Sequence, residues 1–281
     1  MFDASRPLTP FVANAHPLPP HRHWLRGGDR PVLALHCSLA HAGAWSGLAE
    51  RLTNLTLTGF DQIGHGRAPD WDGVTDLHDA ATADAIAMAE ALGQGAPLDI
   101  FGHSFGGTVA LRVALTRPDL VRSLMLVEPV IFAAARAAGA KAWTAFQDEH
   151  LGVARLMASG DRLGAARLFH GLWGTGEPLD SLPDRARDYI IDRIHLIPAQ
   201  NVVLLDDSKG LLRAGGLEAL HVPVLLVEGA LSPAIIAANH AELARRLPNA
   251  HCASVAGAGH MLPLTHADDL AQLTTAHLAL S

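Results

Sequence analysis

Two cysteines, little charge and no long apolar run remove several architectures before any motif is considered. Cys37 and Cys252 both fall in or beside strand-like segments, outside any metal-ligand spacing, which fits reduced thiols better than a disulfide framework. A membrane-spanning helix needs about 18 consecutive apolar residues. The Ala-rich stretch 132–143 is broken by Arg136, Gly139 and Lys141 and does not qualify. Charged residues make up only 17% of the 281, the net charge is −7, and the 21 lysines and arginines are scattered singly, so a nucleic-acid surface is not expected. Residues 1–10 lack the basic start and apolar core of a secretory leader, so the expected location is cytoplasmic. His21 and His23 alternate on one strand face without a carboxylate or cysteine neighbour, and they read as solvated; no metal and no other cofactor is expected.

What the chain has in quantity is apolar residue, 49%, enough to bury the core of one α/β domain. Strand-like runs at 32–36, 55–61, 98–103, 123–128, 222–228 and 251–255 alternate with helical patterns at 44–52, 76–92, 105–116, 235–246 and 267–278. That alternation predicts an α/β fold with a mostly parallel, doubly wound sheet of about eight strands and helices on both faces. The rhythm stops from about 132 to 220, where several helical stretches are separated by Gly174, Gly176, Pro178 and Pro183. Residues 1–131 and 221–281 are therefore expected to form the core, and 132–220 a helical lid inserted over the carboxyl ends of the strands. Asp206 and Asp207, near the lid's return, read as a polar turn or helix start.

The sharpest motif is Gly102-His103-Ser104-Phe105-Gly106, set between an apolar strand and a helical run. A serine on a tight strand-to-helix turn projects its hydroxyl clear of the sheet, and the flanking glycines make room for that turn, so Ser104 reads as a nucleophile. Two further elements fall in the order such a site needs: His36-Cys37-Ser38 at the end of a strand, and Gly257-Ala258-Gly259-His260 near the C-terminus. His260 is the expected base, imidazole being the side chain that ordinarily titrates near neutral pH.

Together with residues 60–67 and 257–266, these blocks resemble the α/β-hydrolase fold family, in its capped serine-hydrolase branch, over roughly residue 30 to the C-terminus. The resemblance implies acyl chemistry on Ser104, with the N–H groups of Phe105 and Ser38 as oxyanion donors, although Cys37 stands at the loop's usual glycine and could move the second donor to Leu39. It also exposes a departure, since Ser232 stands where relatives carry the triad aspartate. The acid is placed instead on Glu128, at the end of the strand after the nucleophile's helix, with Glu228 and Asp61 as fallbacks. Cys37 as an alternative nucleophile lacks the elbow.

The lid aromatics Trp143, Phe146, Phe169 and Trp173 suggest an apolar pocket. The expected activity is hydrolysis of a small to medium, largely apolar ester or lactone. Cleavage of carbon–carbon bonds in diketone-like metabolites is the alternative, and a non-catalytic receptor on the same fold the third reading.

Overall fold

A computed structural model describes residues 7–8 and 17–281; most of the stretch read for a leader lies outside the described residues. Seven strands form one sheet: β1 (His21–Leu25), β2 (Pro31–Leu35), β3 (Thr56–Phe60), β4 (Leu98–His103), β5 (Val121–Val127), β6 (Val224–Gly229) and β7 (Ala250–Val255). Their order is β1-β3-β2-β4-β5-β6-β7, with β1 antiparallel to β3 and all other pairs parallel. About eight strands were expected, and the described residues form seven.

The parallel strands are apolar on both faces, as a sheet covered on both sides requires. Leu33, Leu35, Ile100, Leu124, Leu126 and Leu226 point to one face, which is covered by α2 (Leu77–Gly93), α3 (Phe105–Thr116) and α9 (Ala234–Arg246). The alternate residues Val32, Ala34, Phe101, Met125, Val127 and Val227 point to the other, under α1 (Ser46–Arg51) and α11 (Ala267–Leu278). The helix expected over 44–52 is divided: Ala42–Trp45 forms a 3-10 turn whose start is capped by the His41 ring, and α1 follows it.

Between β5 and β6 the chain forms no strand. It builds α4 (Phe132–Ala137), α5 (Lys141–Ala158), α6 (Arg162–Trp173), α7 (Asp184–Arg193) and α8 (Leu196–Leu204), and returns through turns to β6. Asp161 caps α6 by accepting from the Gly164 N–H at 2.8 Å. Asp207, at φ +48°, accepts from the Leu211 and Leu212 N–H groups at 2.7 and 3.0 Å, while Asp206 pairs with Arg136. α10 (Leu262–Thr265) leads into α11.

The strand order reverses between β2 and β4, the place where open parallel sheets form a crevice at their carboxyl ends. The loop carrying Ser38 leaves β2 there, and Ser104 follows β4.

Candidate active site

Ser104 sits at φ +55°, ψ −118°, a conformation that non-glycine residues adopt only when their surroundings force it. The forcing is visible. The Ser104 N–H donates to the Val127 carbonyl at 2.9 Å, and α3 begins at the next residue. A Cβ on Gly106 would collide with the Leu35 and His36 carbonyls, and one on Gly102 with the backbone of Gly106 and Gly107. Only glycine at both positions lets α3 start this close to β2 and β4.

The Ser104 hydroxyl lies 3.0 Å from His260 Nε2, and His260 Nδ1 lies 2.5 Å from Glu128 Oε2. All three residues are buried, Glu128 completely. The backbone of Glu128 is itself left-handed, φ +48°, immediately after β5. Its other carboxylate oxygen accepts from the Gly229 N–H at 2.6 Å and from the Ser232 hydroxyl. Burial raises the Glu128 carboxyl, but the hydrogen bond and charge of His260, with Ser232 and Gly229, outweigh it and hold the pKa below the ordinary glutamate value. Ser232, at the position where the resemblance places an aspartate, thus donates to a carboxylate delivered from the neighbouring strand.

The fallback acids have other partners. Asp61 accepts from the N–H groups of Ala42 and Arg67 at 2.8 and 2.9 Å and ties two loops together. Glu228 lies 3.4 Å from His240 Nδ1, and burial, then the charge of Glu128, pushes its carboxyl up. Cys37 is buried and its thiol is raised by desolvation to about 12, so it holds its proton. His21 Nδ1 contacts the Pro19 carbonyl and His23 Nδ1 the Thr58 hydroxyl, each at 2.8 Å.

The loop after β2 is held by a reciprocal pair of contacts. Gln62 donates its backbone N–H to His36 Nε2 at 3.1 Å and its side-chain amide to the His36 carbonyl at 2.7 Å. His36, lowered by burial to about 4, stays neutral and keeps the acceptor that this geometry needs. Leu39 takes the left-handed conformation, φ +59°. No backbone carbonyl among the described residues takes the N–H of Ser38 or of Phe105. Behind Ser104 and His260, His103 donates from Nε2 to the His260 carbonyl at 2.9 Å and is lowered to about 3 by burial and by His260.

A small, partly open cavity of about 20 Å³ lies against Ser104 and His260; Ser38, Phe169 and Trp173 line it. Trp173 packs edge-on against the His260 ring, centroids 4.6 Å apart. Phe169, Trp173 and Ser38 also border a groove of about 1070 Å³ that reaches Tyr189, Arg193 and Met261. The larger space therefore adjoins the serine without containing it. Trp143 and Phe146 do not line the cavity: Phe146 is buried against Phe132 and Trp173, and Trp143 stacks behind it beneath Arg136. Sequence reasoning missed the polar cavity residues His150 and Gln200, and the apolar Phe132, Ile197 and Leu204. The only local signal is a helical apolar face on α8, which does not say whether that face meets core or cavity.

Comparisons with known proteins bear on the fold and the family. The chain is 36% identical over 104 residues to the lipase LipV of Mycobacterium tuberculosis, covering 37% of this chain and 39% of that protein. It is 30% identical over 257 residues to the polyketide synthase ThaQ of Burkholderia thailandensis, covering 87% of this chain but 12% of the synthase. Both matches thus span well under half of the relative's own length. Among solved structures, an esterase from Exiguobacterium antarcticum superposes with a TM-score of 0.71 at 16% identity, covering 92% of this chain and 94% of that one. A family profile described as the alpha/beta hydrolase fold matches residues 30–267, and the chain belongs to that family.

Proposed function

We propose that the protein is a serine hydrolase of small to medium, largely apolar carboxylic esters or lactones. The observation that carries the reading is the continuous hydrogen-bonded line from the Ser104 hydroxyl through His260 to Glu128. Ser104 Oγ adds to the substrate carbonyl carbon while His260 Nε2 takes its proton, and Glu128 stabilises the imidazolium that results. The carbonyl oxygen becomes an oxyanion facing the N–H groups of Phe105 and Ser38. As the oxyanion collapses, the carbon–oxygen bond to the leaving group breaks and His260 returns the proton to that oxygen. Water then repeats the sequence on the acyl-enzyme, releasing the acid and restoring Ser104.

Residues 132–220 act as a cap: Phe169 and Trp173 border both the cavity and the groove, and the groove is the route to the serine. The two unpaired thiols, one of them exposed, suit a reducing compartment, and we place the enzyme in the cytoplasm. The test is turnover of short p-nitrophenyl esters by the purified protein, abolished in Ser104→Ala. Turnover of a vinylogous diketone in preference to every ester would replace the reading with carbon–carbon bond cleavage.

A further inference from the structure

The cavity over Ser104 has polar groups in its ceiling that acyl transfer does not use. Apart from Ser38, Ser104 and His260, its lining is apolar except for His150 on α5 and Gln200 on α8, each only 3% exposed. Gln200 Oε1 accepts from the Ser38 hydroxyl at 2.8 Å, and its amide nitrogen Nε2 has no partner among the described residues. His150 donates from Nε2 to Asn201 Oδ1 at 2.8 Å, an assignment that leaves Nδ1 as a lone-pair acceptor, and Nδ1 likewise has no partner among the described residues. Burial pushes the His150 pKa down, so the ring is neutral at pH 7. Gln200 Nε2 and His150 Nδ1 are two of nineteen buried polar side-chain atoms without a partner among the described residues, and what sets them apart is that both residues line the cavity that holds Ser104, where a substrate group can reach them.

Size and direction narrow that group. The cavity of about 20 Å³ admits something close to one water molecule in size, whereas the groove holds about 1070 Å³. His260 must protonate the leaving oxygen. Trp173, in contact with the His260 ring, and Met261, the next residue in the chain, both border the groove. His260 itself lines the small cavity and Trp173 borders both spaces, so by size the cavity takes the short end of the substrate and the groove the long end.

From this geometry we infer that Gln200 and His150 select esters of short 2-hydroxy acids, the acyl hydroxyl accepting from Gln200 Nε2 and donating to His150 Nδ1. A ketone oxygen would satisfy Gln200 alone, and a methyl group neither. The inference rests on the ester-hydrolase reading and names its substrate class.

Benzyl glycolate and benzyl propionate share a leaving group and differ by a hydroxyl in place of a methyl, so the ratio of their kcat/KM values reads the contact. Intrinsic reactivity cancels when that ratio is compared between proteins. In Gln200→Met and His150→Phe, which keep approximate volume and remove the donor and the acceptor, the glycolate-to-propionate ratio is expected to fall about tenfold or more. A ratio that holds at the wild-type value in either variant overturns the inference and leaves ester hydrolysis standing. Should the variants fail to fold, the wild type decides: a ratio no greater than that for alkaline hydrolysis of the same two esters also overturns it. If wild-type protein cleaves neither ester nor any p-nitrophenyl ester, the ester-hydrolase reading falls first and takes the inference with it.

Discussion

Position 232 changes what a single residue must do. A neutral hydroxyl cannot stabilise an imidazolium, so Ser232 works through Glu128, donating to the carboxylate oxygen that His260 leaves free. Glu128→Gln should lower kcat by about 10³ to 10⁴, because an amide neither holds the histidine tautomer as a carboxylate does nor balances its charge. Ser232→Ala removes one of several contacts to the carboxylate and should cost about tenfold or less. The neighbouring geometry allows a sharper test. In the double variant Glu128→Ser, Ser232→Asp, the carboxylate moves to the other strand, and steady-state kinetics should recover part of the activity that Glu128→Ser alone loses. A second check concerns the thiols. Cys37, with its pKa near 12, should resist iodoacetamide at pH 8 in the folded protein while exposed Cys252 reacts, and both should react after denaturation.

Among the secondary-structure elements, the two ends of the sheet are specialised differently. At the amino ends of the strands, Asp99 on β4 is fully buried and holds Arg30, Arg122 and Ser123 at 2.7 to 3.1 Å, tying β2, β4 and β5 together. Removing one member of such a buried network leaves the others uncompensated, so Asp99→Ala should cost about 3 to 5 kcal/mol in urea unfolding. Because the serine lies at the opposite end of β4, turnover per folded molecule should not change. Strands β2 to β7 and the helices outside 132–220 were legible in the sequence because their apolar runs end at residues with local meaning: Ser104 opens α3, and Asp76 accepts from the Asp79 N–H to open α2. Glu128 was legible for a similar reason, its place at a strand end beside Pro129. The cavity wall was not. His150 and Gln200 belong to helices whose mutual angle is set by packing among α5, α6 and α8, and an aromatic-rich stretch such as Trp143–Phe146 looks the same whether it meets core or substrate.

Across the whole molecule, neutral histidines buried in the fold set its response to acid. Burial lowers His36 to about 4 and His65 and His103 to about 3, far below the ordinary value of 6.5. Below pH 6.5 the unfolded chain binds protons at these positions that the folded chain does not, so the stability they contribute is complete above pH 6.5 and is lost as pH falls toward their folded values. Each group adds a slope of about 1.4 kcal/mol per pH unit in that window. Urea midpoints should therefore drop between pH 7 and pH 5, and His65→Gln should flatten the decline by roughly one such increment. Under the proposed function, catalysis and acid tolerance pull on the same residues, since His36 ties the Ser38 loop to Gln62 and His103 holds the His260 carbonyl.

The central claim is that Ser104, His260 and Glu128 form one proton-relaying unit, and the rate of covalent labelling by a fluorophosphonate reads it most directly. The account predicts one adduct per molecule, located by mass spectrometry on the peptide containing Ser104, forming orders of magnitude more slowly in His260→Ala and in Glu128→Gln. An adduct on another residue, or labelling of Ser104 at an undiminished rate in both variants, would contradict it.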